Sequence, residues 1–97
     1  MARIIYSQQA LNDLERLVDF LFDYDPNIAL RTLDLIQEAI LLLEHHPLIG
    51  RPIKEELREL VISRGNTGYI GLYSFEEFDD VILVLGIRHQ REAGYEN

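Results

Sequence analysis

Residues 81–95 read VILVLGIRHQREAGY, and the interpretation of this stretch decides the fold. It opens with five apolar residues, passes Gly86 and Ile87, then turns polar at Arg88, His89, Gln90 and Arg91. A continuous apolar run rich in Val and Ile, entered from the acidic segment EEFDD at 76–80, has the character of a strand buried on both faces. A strand in the middle of a sheet that ends by carrying polar groups to the surface holds them more rigidly than a loop does.

Moving back from it, residues 69–75 alternate. Tyr69, Gly71, Tyr73 and Phe75 share one face, and Ile70, Leu72 and Ser74 the other. Residues 57–62, LRELVI, form a further strand, and 63–68, SRGNTG, have the composition of a hairpin turn. These three strands make an antiparallel meander. The segment GRP at 50–52 reads as a loop after Pro47 stops the preceding helix.

Two helices come earlier. Ser7 is a good N-cap, and Ala10, Leu11, Leu14, Leu17, Val18, Leu21 and Phe22 recur at helical spacing. Asn12, Asp13, Glu15, Arg16, Asp19 and Asp23 are expected on the solvated side of that helix. Asp25-Pro26 ends it and starts the next, with Asp25 as cap and Pro26 at the first helical position. The second helix is predicted to run from 26 to 45 or 46, on a stripe through Ile28, Ala29, Leu33, Ile36, Ala39, Ile40 and Leu43. Residues 3–6, RIIY, are a short opening strand. The order is β-α-α-β-β-β, an α+β domain over 1–97 with an antiparallel sheet and a two-helix hairpin on one face.

Composition narrows the function classes. The chain has 97 residues, 47% hydrophobic and 27% charged, the balance of an ordinary globular domain. It lacks cysteine, so disulfide and thiolate chemistry are excluded. No apolar run approaches the roughly 20 residues of a membrane span, and no signal-peptide pattern opens the chain. A cytoplasmic protein without membrane contact is the expectation. The net charge is -8, with one lysine, and residues 48–70 are the one mildly basic segment. Such a chain is repelled by phosphate backbones, so direct DNA binding by this chain alone is not expected. His45 and His46 are adjacent on a helix end and point in different directions, so no metal is expected there; nor is a cofactor.

Four phrases taken in order resemble the RelE/ParE superfamily of toxins from bacterial type II toxin–antitoxin, or plasmid stabilisation, systems. They are HPLIGRP at 46–52, LRELVI at 57–62, GYIGLYSF at 68–75 and VLGIRHQREAGY at 84–95. The resemblance spans nearly the whole chain. It implies a small toxin that arrests growth and is neutralised by a cognate antitoxin from the adjacent gene. ParE-like members inhibit DNA gyrase by protein–protein contact; RelE-like members cut mRNA on the ribosome.

For a ribosome-dependent endoribonuclease the resemblance implies catalytic positions at Arg64, Arg88, His89, Arg91 and Tyr95, with His89 as acid or base. In a gyrase inhibitor the same residues are target contacts. The missing lysine cluster and the acidic charge favour the gyrase branch. A non-toxic binding module kept in an autoregulatory complex is a third reading. Arg51 and Arg58 are expected to contact the antitoxin, at an apolar rim between hairpin and sheet. Duller roles stand beside these: Arg88 paired with acids of the 76–80 turn or of a helix, Tyr95 packed on the sheet, and Tyr69 and Tyr73 in the core.

Overall fold

The computed structural model describes the backbone of residues 1–64 and 67–91, and the side chains of these residues apart from 63, 64 and 67. The elements are β1 (Arg3–Tyr6), α1 (Gln8–Tyr24), α2 (Pro26–Leu41), a 3-10 turn (Leu42–Glu44), β2 (Arg51–Lys54), β3 (Leu57–Arg64), β4 (Thr67–Glu76) and β5 (Val81–His89). Local chemistry accounts for the helix boundaries. The Ser7 hydroxyl accepts from the Ala10 N–H at 3.1 Å, and the Asp25 carboxylate accepts from Asn27 N–H at 2.9 Å, with Pro26 opening α2. Each such cap contributes about 0.5–2 kcal/mol.

The sheet has five strands in the order β1-β5-β4-β3-β2. Strands β3, β4 and β5 form the expected antiparallel meander. Two features depart from expectation. First, β1 pairs parallel to β5, from Arg3 opposite Val81 to Tyr6 opposite Val84, so the sheet is mixed rather than antiparallel. Second, the 50–52 segment is not a loop throughout: Arg51–Lys54 is an edge strand, exposed along its length and interrupted by an irregularity between Pro52 and Lys54. Proline, an irregular register and a lysine are all means of blunting a sheet edge.

Both helices pack on one face of the sheet. Leu14 and Leu17 of α1, Ile36 and Ile40 of α2, and Leu43 meet Leu60 and Ile62 of β3, Tyr69 and Tyr73 of β4, and Ile82, Val84 and Ile87 of β5. Burying each aliphatic side chain contributes about 1.5–3 kcal/mol before entropic costs. The expectation that β5 is buried on both faces is corrected here. Ile82 and Val84 are buried under the helices, whereas Val81, Leu83 and Leu85 are only half-buried. The apolar run is continuous for another reason. Leu72 pairs with Gly86 and Tyr73 with Val84, which leaves Leu85 as an extra residue on β5. This β-bulge resets the alternation, so Ile87 joins Ile82 and Val84 on the core side.

Candidate functional site

Beyond Val84, β5 runs past the end of its neighbour β1, and its backbone needs other partners on that side. The start of α1 supplies them. Ser7 N–H donates to the Val84 carbonyl at 2.9 Å, and its hydroxyl donates to the Leu85 carbonyl at 3.3 Å. Asp13 Oδ2 then accepts from Ile87 N–H at 2.9 Å, while Oδ1 accepts from Gln9 Nε2 at 2.9 Å. Asp13 is 2% exposed, not solvated as its helical position suggested. Arg16 Nη2 lies 4.0 Å from the same carboxylate. A buried carboxylate is tolerable because backbone and side-chain donors replace its water.

So braced, β5 delivers Arg88 and His89 to opposite sides of the sheet. Arg88 is opposite Ile70, on the face away from the helices, and its Nη1 donates to the carbonyls of His89 at 3.3 Å and Gln90 at 3.4 Å. His89 is opposite Tyr69 and meets that ring edge-on, with centroids 5.3 Å apart. Its Nδ1 accepts from Arg91 N–H at 3.1 Å, so a neutral ring carries its proton on Nε2. Arg91 is exposed just after the strand. The backbone of Arg64 ends β3 at this same end of the sheet, since Ile62, Tyr69 and His89 lie in register; its side chain and Tyr95 lie outside the described residues.

Arg51 and Arg58 lie across the sheet, toward its β2 edge. Arg51 grips the largely buried Glu59 through Nε at 3.1 Å and Nη2 at 2.9 Å, both to Oε1. Arg58 Nη1 donates to the carbonyls of Leu48 at 3.1 Å and Gly50 at 2.7 Å. The same loop is held from below by Tyr73. Its hydroxyl donates to the Pro47 carbonyl at 2.8 Å and accepts from Gly50 N–H at 2.9 Å. Burial pushes the Tyr73 phenol above its ordinary pKa, while the Gly50 N–H bond and the Arg58 charge act the other way. A β-carbon at Gly50 would lie 2.6 Å from the Tyr73 ring, so only glycine fits. The tyrosine expected in the core is therefore also a clasp for the 46–52 phrase, and Leu48 and Ile49 stay exposed on it.

Among the described side chains, the arginine and histidine candidates therefore do not converge. Arg88, His89 and Arg91 lie where β5 ends, with the backbone of Arg64 at the same end, and Arg51 and Arg58 lie across the sheet toward its β2 edge. Among the described residues, no group of three His, Cys, Asp or Glu side chains is arranged to hold a metal. No helix is long and apolar enough to cross a membrane.

A mixed five-stranded sheet carrying a helical hairpin on one face defines a small α+β class of fold. The family described as the ParE toxin of type II toxin–antitoxin system, parDE, matches residues 4–94, and the chain belongs to that family. A curated relative, Toxin RelE3 of Caulobacter vibrioides, is 30% identical over 92 residues, covering 95% of this chain and 98% of the relative. Among solved structures, the fold is similar to a chain of the chromosomal ParDE system from P. aeruginosa, with a TM-score of 0.75 at 22% identity, covering 92% of this chain and 96% of that one. It is also similar to a chain of the RelBE2 toxin–antitoxin complex from Mycobacterium tuberculosis, with a TM-score of 0.60 at 23% identity, covering 92% and 98%.

Proposed function

We propose that this chain is a toxin of the ParE type, which arrests growth by protein–protein contact with DNA gyrase and is neutralised by an antitoxin from the neighbouring gene. The separation of Arg88 from His89 by the thickness of the sheet carries this reading. Cleavage of RNA needs an acid or base and a charge stabiliser converging on one phosphate. A protein contact has no such requirement. The net charge of -8 points the same way, because a ribosomal RNA surface repels it. Purified toxin should then block gyrase supercoiling while message in arrested cells stays intact; unaltered supercoiling at toxin excess overturns the proposal.

The name of the RelE3 relative favours a second reading, a ribosome-dependent endoribonuclease. In that case primer extension on translated mRNA shows new codon-positioned 5′ ends, absent from an Arg88→Ala/Arg91→Ala double variant. Healthy growth at high expression without the neighbouring gene would favour the non-toxic module instead.

A further inference from the structure

We infer that the open groove between the β2–β3 turn and the β4–β5 turn is a docking site for a cationic, apolar segment of a protein partner. The groove encloses about 720 Å³, within the range of binding clefts. Register places the two turns side by side, because Leu57 pairs with Ser74 at the end of the sheet. Glu55 and Glu56 come from one turn, Glu76 and Glu77 from the other, and all four are exposed. Among the described residues no hydrogen bond or ion pair engages these carboxylates. Arg58, the one cation in the lining, is turned to the carbonyls of Leu48 and Gly50.

Between the acids the surface is apolar. Leu57 and Phe75 are half-buried along it, and Phe78 projects from the turn fully exposed. Carboxylates alone would suit a small cation or polyamine. Carboxylates flanking an apolar strip, with an unsupported phenylalanine at the rim, suit Arg or Lys alternating with Leu or Ile. The aromatic face adds an attraction for guanidinium groups. A nucleic acid is excluded by the sign of the charge. That the segment belongs to the antitoxin rests on the function proposed above; the chemistry of the groove does not.

The test is fluorescence anisotropy of the full chain with two short labelled peptides, one alternating leucine with arginine and one alternating leucine with glutamate. The arginine peptide should bind, more weakly as salt rises, and the glutamate peptide should not. Replacing the four groove acids together (Glu55→Gln, Glu56→Gln, Glu76→Gln and Glu77→Gln) should weaken binding about tenfold. Replacing four exposed helix acids (Asp19→Asn, Asp23→Asn, Asp34→Asn and Glu38→Gln) changes net charge equally and should have a much smaller effect. Phe78→Ala should weaken binding several-fold without altering the fold. Equal losses in the two quadruple variants, equal affinity for both peptides, or no binding at all would overturn the inference. A doubling of mass lost in Phe78→Ala would also overturn it, by making a second copy the occupant. Growth arrest is read separately, so toxicity and groove binding succeed or fail independently.

Discussion

On the β2 side of the sheet a loop is tied down by strand side chains, Tyr73 and Arg58; on the β1 side a strand is tied down by the cap and an early residue of α1, Ser7 and Asp13. The first arrangement holds 46–50 in place from beneath and leaves Leu48 and Ile49 outward. The second replaces a missing neighbour strand with the first turns of α1. The difference lies in what each region can tolerate losing. At the tied loop several polar groups share the work around a steric fit. At the tied strand one carboxylate satisfies a buried backbone N–H of β5, and its loss reaches Arg88 and His89 within two residues.

The largest effects should come from the most enclosed contacts. Asp13→Ala leaves the Ile87 N–H unsatisfied and opens a small cavity, and should cost about 3 kcal/mol in denaturant unfolding. It should also speed hydrogen exchange at Ile87 and blunt toxicity, whereas equally toxic and equally protected protein would dissolve the contrast drawn above. Gly50→Ala sets a methyl group against the Tyr73 ring and the Glu59 carbonyl, so the loop must shift, at a cost of about 2–3 kcal/mol. Here exchange at Ile87 should stay unchanged, which separates the two regions.

Tyr73→Phe keeps the ring but abandons both loop bonds, and about 1–3 kcal/mol should be lost. It should also alter the response to alkali. Because burial raises the Tyr73 pKa in the folded chain above its ordinary value of 10.0, ionisation opposes folding. The stabilising contribution is complete below about pH 10 and declines as pH rises through the folded value. Tyr6 is raised by burial too, so the phenylalanine variant should lose stability less steeply above pH 10 without becoming insensitive. Urea midpoints across that range measure it. Arg51→Ala should matter least, about 0–1 kcal/mol, since the Arg51 side chain is 60% exposed despite its contact with Glu59.

Much of the fold was legible because its signals are local. Ser7, Asp25 and Pro26 mark helix starts by short-range chemistry, and the 69–75 alternation declares a strand by itself. The parallel pairing of β1 depends on residues some eighty positions apart, which no local pattern encodes. Strand β2 is four exposed residues with a proline, and its only signal is its partner Glu59–Leu57. The inward turn of Asp13 is legible after all. The residue stands three residues from Ala10 and four from Leu17, on the margin of the apolar stripe, where a short acid reaches inward. For the site, the sequence marked Arg88 and His89 but not the faces they take. The paired acids and Phe78 that shape the groove looked like an ordinary acidic turn, because only the register of β3 against β4 brings 55–56 beside 76–77.

The extra residue at Leu85 decides which groups the far end of β5 shows to each side. Deleting its codon would place Gly86 directly after Val84, the pairing both already keep, so Ile87, Arg88 and His89 would hold their present faces on a flatter strand. Ironing out the bulge with Leu85 retained would do the opposite: the guanidinium of Arg88 would turn beneath the helices, and Ile87 and the imidazole of His89 would move to the bare side. Whatever target this surface meets, its chemical character therefore hangs on the strand absorbing one surplus residue, whatever that residue's kind.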